Sequence, residues 1–191
     1  MKTKALITVT IVFAALGALH AADQLNPAIT FDGSNFLVVW QEMGPDSMNG
    51  VYGKRVDIAG NAIDQQTFRI SPADNNAGAP GITYGTEYFV TWVDQKADSI
   101  RCARVSSSGT VLDNTITIPE IQTYGTKKAS IAFDGTNYLL PYVFHYPFYC
   151  ALLSQSGSIL SSQRLMSSDC SEGAQVIFGS ENYLVVWKDF G

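Results

Sequence analysis

Glu42, Asp46, Asp74, Asp94, Asp98, Glu120, Asp169, Glu172 and Asp189 are the side chains here that could do acid–base chemistry in pairs. Two carboxylates held roughly 5–9.5 Å apart can split a glycosidic bond, one as proton donor and the other as base or nucleophile. No spacing among the nine fixes such a pair, and a loop carboxylate on its own is simply solvated. His145 is the only histidine beyond His20. With no Cys or His beside it, it makes no zinc set. It would be the single candidate base of a Ser-His-Asp triad that has no local nucleophile motif. No run has the ligand spacing of a calcium loop. Neither a metal nor a cofactor is expected, and no residue receives a catalytic role.

Binding chemistry has better candidates. Phe144, His145 and Tyr146 lie in the run Val143-Phe144-His145-Tyr146-Pro147-Phe148-Tyr149. Exposed aromatics can stack on a sugar ring or seat a peptide; the alternative is that they fold over a sheet edge. Three cysteines remain beyond the N-terminal segment: Cys102, Cys150 and Cys170.

What positions these residues is a repeat. Ile29-Thr30-Phe31-Asp32-Gly33-Ser34-Asn35-Phe36-Leu37-Val38-Val39-Trp40 returns as Ile82 to Trp92, Ile131 to Tyr142 and Val176 to Trp187. The closing aromatics Trp40, Trp92, Tyr142 and Trp187 are 52, 50 and 45 residues apart. A period near 50 suits propeller blades or helical arrays. Short β-branched and aromatic runs punctuated by Gly, Asn and Asp decide for strands.

Each full copy holds four such runs, A to D. They are expected at 27–31, 36–42, 50–57 and 67–71 in the first copy, and at 81–84, 88–93, 99–105 and 114–118 in the second. In the third they are expected at 130–133, 138–143, 148–153 and 164–167. Asp32 and Asp134 read as formers of the A–B turn. Gly60, Gly109 and Gly157 mark the C–D turn. Run B is apolar at consecutive positions, as a strand buried on both faces can be. Four-stranded sheets stacked face to face around an axis meet that demand.

The pattern P-x-I-x-F-D-G-x-N-Y-L-V-V-W, then Y-G-x-R-V-x-x-x-G-x-x-L-D and F-x-I-S, resembles secreted bacterial β-propeller repeat proteins of uncharacterised function. The resemblance runs from Pro27 to Trp187. It implies a fold and a location and carries no catalytic residues. The second copy departs by placing Gly85 where Asp32 and Asp134 stand. The third has Tyr142 for Trp, Pro141 before it, and no Tyr-Gly or Arg in run C.

The expected architecture is all-β: an incomplete β-propeller arc of about three and a half four-stranded antiparallel blades after an N-terminal signal peptide. The signal covers residues 1–21, and the repeats cover 22–191, with blades at 27–71, 80–118 and 129–168 and a half blade at 174–191. Lys2 and Lys4 precede an apolar run from Ala5 to Leu19, and Leu19-His20-Ala21 has the form of a cleavage site. Fifteen apolar residues fall short of the roughly 20 that span a bilayer. The mature chain is thus expected to be secreted, extracellular or periplasmic, with no membrane span. It keeps 10 basic and 17 acidic side chains, a net −7, which argues against nucleic acid as a partner.

Closed propellers need four to eight blades. Three readings account for the half blade: a longer parent chain, a second subunit closing the ring head to tail, or an unseen capping partner. The sequence reading favours the longer parent. A–B and C–D turns share one rim and are alike in each copy, whereas B–C and D–A connections share the other and differ. Variable loops on a constant frame are where binding resides. The candidate ligand-contacting residues on that rim are Phe144, His145, Tyr146, Tyr124, Asp46, Asp94 and Asp98. The leading functional expectation is a non-enzymatic binding or scaffolding module for a carbohydrate or protein. The alternative is a fragment of a glycosidase-like propeller hydrolase that uses rim carboxylates. Cys102 and Cys150 hold equivalent places in adjacent blades, so one faces its neighbour while the other faces away. They are expected not to be bonded.

Overall fold

The computed structural model describes residues 23–43, 49–74, 76–113, 116–118, 128–143, 148–166 and 174–188. Among these there is no helix. The described residues form fourteen strands in four antiparallel sheets, three of four strands and one of two. The first sheet is β1 (Leu25–Phe31), β2 (Asn35–Met43), β3 (Asn49–Asp57) and β4 (Phe68–Arg69). The second is β5 (Ala77–Tyr84), β6 (Tyr88–Asp94), β7 (Ser99–Val105) and β8 (Ile116–Ile118). The third is β9 (Ala132–Phe133), β10 (Tyr138–Val143), β11 (Phe148–Leu153) and β12 (Ile159–Met166). The last, two-stranded, is β13 (Gln175–Phe178) and β14 (Tyr183–Val186). Within each sheet the strands lie in sequence order. This is the expected arc of propeller blades.

The turns explain why. Asp32 Oδ1 accepts the backbone N–H groups of Ser34 and Asn35 at 2.7 and 2.6 Å. Asp134 does the same for Thr136 and Asn137, both at 2.7 Å. Gly33 and Gly135 follow with φ of +98° and +100°, a left-handed backbone that side chains resist. Both aspartates are turn formers, as their place in the repeat implies.

The core lies between sheets, since each sheet is apolar on both faces. Leu37, Val39 and Val51 of the first sheet pack against Tyr88, Val90 and Trp92 of the second. Phe89 and Cys102, on the second sheet's other face, pack against Tyr138 and Leu140 of the third. Phe148 and Cys150 of the third meet Ala174 and Val185. The structure has Cys102 and Cys150 as free, buried thiols. Each faces the sheet that follows its own, so they cannot converge. Cys170 lies outside the described residues.

The outer strand of the third sheet differs from expectation. The sequence pattern puts it at 164–167, but β12 begins at Ile159 and pairs with β11 straight across the Gly157 turn, Leu153 opposite Ile159. The reason is a side-chain pair missing from this sheet. In the first sheet Arg55 binds Asp64 through its backbone N–H and its guanidinium, and in the second Arg104 binds Asp113 in the same way. These pairs hold the segment after the turn as a loop, with one isolated bridge each, Val56 to Ala62 and Val105 to Val111. Leu152 and Ser161 occupy those two positions in the third sheet. Without the clamp the chain runs directly into a hairpin. The innermost strand of the same sheet is short, two residues where β1 has seven. Its neighbour β10 carries Pro141, which has no N–H for the ladder.

Candidate functional site

Of the seven rim residues singled out as ligand contacts, Asp94 and Asp98 are described; Asp46, Tyr124, Phe144, His145 and Tyr146 lie outside the described residues. Glu120, Asp169, Glu172 and Asp189 do as well. Asp94 ends β6 and is 1% exposed at its side chain. Its Oδ1 accepts the backbone N–H groups of Lys96 and Ala97 at 3.0 and 3.2 Å. Its Oδ2 lies 2.8 Å from Arg101 Nε, an ion pair and not a well-aligned hydrogen bond. Asp94 therefore shapes the 95–98 turn from inside. Asp98 is exposed, with φ of +45°. Glu42 holds the place in the first sheet that Asp94 holds in the second. It accepts the Trp40 indole N–H at 2.7 Å and the Gln24 amide at 3.1 Å. Arg101 takes up Asp94, and the equivalent indole, Trp92 Nε1, is buried without a hydrogen-bond partner, as is Ser99 Oγ.

The carboxylates whose titration is displaced are all pushed the same way. Burial alone would raise Asp32, but the Asn35 N–H, the Tyr88 hydroxyl and the Ser34 N–H outweigh it and hold the carboxyl below its ordinary value. Burial is likewise outweighed at Asp134, by the Asn137 and Thr136 amides and Tyr183, and at Asp64, by Arg55. Arg104 holds Asp113 down, and Asn61 holds Asp57 down. A hydrolytic proton donor needs the opposite shift. Among the described residues no three His, Cys, Asp or Glu side chains group to hold a metal.

A cavity of about 300 Å³ lies where the inner strands of all four sheets converge. That size is at the lower end for small-molecule sites. Its wall is Pro27, Ala28 and Ile29 of β1, Gly81 and Ile82 of β5, Lys128, Ser130 and Ile131 leading into β9, and Gln175 and Val176 of β13. One cation, one hydroxyl and one primary amide stand among apolar surface. Ser130 Oγ also accepts the Val176 N–H at 3.1 Å, tying the third and fourth sheets together at the wall. Gly81 is required here, because a Cβ on it would sit 1.8 Å from Ala129 O. That carbonyl accepts the Thr91 hydroxyl, and Ala129 N–H donates to Ala79 O at 3.2 Å. The repeat pattern points to the loops and does not reveal this wall. The available signal was polar and small residues, Gly81, Lys128, Ser130 and Gln175, interrupting otherwise apolar inner strands.

No sequence-family description matches the chain, and no curated protein matches it in sequence. Solved structures do resemble it. The catalytic domain of a GH62 α-L-arabinofuranosidase from Coprinopsis cinerea aligns with a TM-score of 0.60 at 10% identity, covering 88% of this chain and 60% of that one. The Dos1 propeller aligns at 0.53 and 7%, covering 85% and 41%. An exo-β-1,3-galactanase from Phanerochaete chrysosporium with β-1,3-galactotriose aligns at 0.52 and 11%, covering 88% and 47%. The chain thus spans between 41 and 60% of the length of these structures. At such low identity the likeness is one of fold alone, and that fold is the β-propeller.

Proposed function

We propose that this chain is an exported, non-enzymatic binding module of β-propeller fold, and that its ligand is a carbohydrate seated at the axial cavity with the variable rim above it. The observation that carries the reading is the cavity wall: inner strands of four sheets, with Lys128, Ser130 and Gln175 as polar groups and no carboxylate. An ammonium, a hydroxyl and an amide set among apolar residues are groups that hydrogen-bond sugar hydroxyls. The downward shift of Asp32, Asp57, Asp64, Asp113 and Asp134 fits a frame that spends its carboxylates on turns and clamps. Export is supported by the basic start, apolar run and small-residue site at residues 1–21. A glycan array followed by calorimetry tests the ligand. Binding should weaken at least tenfold in Lys128→Ala and Gln175→Ala. A blank array together with a protein captured in pull-down would move the assignment to a protein ligand.

A glycosidase-like propeller is the second reading, favoured by two structural neighbours, an α-L-arabinofuranosidase and an exo-β-1,3-galactanase. It would draw its acid and its base or nucleophile from Glu120, Asp169 and Glu172 on the D–A connections. Turnover of aryl glycosides that Glu172→Gln or Asp169→Asn abolishes would establish it in place of the first.

A further inference from the structure

The axial wall carries a charge that no described residue balances. Arg55, Arg101 and Arg104 each lie against a carboxylate. Arg69 and Lys96 donate to backbone carbonyls. Lys128, half-buried at the cavity, has no ion pair or hydrogen bond among the described residues, and no Asp or Glu stands on the wall with it. An unpaired cation partly withdrawn from water costs free energy that an incoming anion recovers. The wall is also held in shape by a dedicated side chain. β1 and β5 each carry a bulge, between Leu25 and Ala28 and between Gly78 and Gly81, where Asn26 and Ala79 take left-handed φ of +52° and +49°. Gln41 Oε1 accepts both the Asn26 amide at 3.1 Å and the Ala79 N–H at 3.2 Å. One side chain thus fixes both bulges, and Pro27, Ala28 and Gly81 of those segments line the cavity. Bulges that re-aim a strand are enriched beside functional sites.

We propose that the axial site takes a uronic acid, a pyranose bearing one carboxylate, with the Lys128 ammonium on that carboxylate. The inference rests on the carbohydrate reading above and narrows it. A carboxylate in place of a hexose hydroxymethyl group adds charge with almost no bulk, which suits a cavity of about 300 Å³. Ser130 Oγ already accepts the Val176 N–H, so what it offers a ligand is its O–H. Gln175 offers an amide, and both groups suit ring hydroxyls. Ile29, Ile82, Ile131 and Val176 supply apolar surface for the C–H groups of the ring. Residues 22–191 carry 10 basic and 17 acidic side chains, so the overall field repels anions. An acidic sugar is therefore held only where a local cation is left for it.

Calorimetry with the methyl glycosides of D-glucuronate and D-galacturonate tests it, beside the methyl esters of the same sugars, which keep the shape and lose the charge. At least one acid should bind about tenfold more tightly than its ester, as a charge-assisted hydrogen bond implies. Lys128→Met keeps the alkyl stem and removes the ammonium. It should abolish that preference with far-UV circular dichroism unchanged. Lys54→Met, on β3 and outside the cavity wall, should preserve it. Acid and ester binding alike, or a preference that persists in a folded Lys128→Met protein, would overturn the proposal and leave the carbohydrate reading standing. Binding of neither acids, esters nor the neutral sugars of a glycan array would overturn both.

Discussion

Tyr88 reaches from the second sheet into the turn of the first and donates its hydroxyl to Asp32 Oδ2 at 2.7 Å. The same carboxylate forms that turn through its other oxygen. One side chain thus sets a local bend and fastens the next sheet to it. Replacing Tyr88 with Phe leaves the ring in place and removes only the bond. A hydrogen bond to a charged group contributes about 1.5–3 kcal/mol, and a loss near the lower end is expected because Asp32 keeps its turn amides. Urea unfolding followed by tryptophan fluorescence measures it; an unchanged midpoint would show that the bond contributes nothing net.

Acid should act through the same carboxylates. Asp32 and Asp134 have folded values held below the ordinary carboxylate value. Their contribution is complete above the unfolded value of about 3.9 and is lost as pH falls through the lower folded value. Stability should therefore decline below about pH 4, and the decline should be shallower in Asp134→Asn, which has no proton to bind. Parallel pH profiles for the two proteins would count against this.

The Arg104–Asp113 clamp can be tested by making the second sheet resemble the third. Arg104→Leu and Asp113→Ser should each cost about 1–2 kcal/mol, mostly through Asp113, which is the less exposed partner and also holds the Arg104 N–H at 2.7 Å. Arg104 is 39% exposed, so the salt-sensitive share is small. The double variant should cost less than the sum by at least about 0.5 kcal/mol. Strict additivity would mean that the two side chains are not coupled.

Gly81→Ala should be the most damaging of the Gly→Ala substitutions among the described residues. A methyl group there meets the backbone of Ala129, not a side chain that could swing away. Overpacking of this kind costs about 1–3 kcal/mol or more. The second and third sheets should part first, seen as faster amide exchange around 129–133 than in the first sheet.

Cys102 and Cys150 should resist thiol reagents until the protein unfolds. Burial pushes the Cys150 thiol up to about 12 and raises Cys102 as well, so neither forms the thiolate that reacts. Rapid labelling of both in the native protein, or a peptide linking them, would contradict the sheet arrangement.

Strand positions were legible because the signals are local. Turn glycines at Gly33, Gly60, Gly109, Gly135 and Gly157 all have left-handed backbones, and β7, β10 and β11 begin and end where the apolar runs do. What could not be read was pairing over nine residues. The Arg and the Asp of the repeat were both visible in the first two copies, but nothing in the spacing says that they touch. The joint absence of Arg and Asp from the third copy was the clue, and it accounts for the misplaced outer strand. Asp94 illustrates the other gap. A loop-end carboxylate looks solvent-facing in sequence, and only the fold brings Arg101 beside it. The axial wall was hidden because its residues come from four distant segments, none distinctive alone.

Losing one clamp has a cost in colloidal behaviour. The outermost strands of the first two sheets are two and three residues long, too short to serve as a template for foreign backbone. In the third sheet, where Leu152 and Ser161 replace the clamp, that strand runs for eight residues and carries a single charge, Arg164. Any tendency of the protein to precipitate in concentrated solution should begin along this ribbon, and a lysine in place of Gln163 would be the smallest remedy.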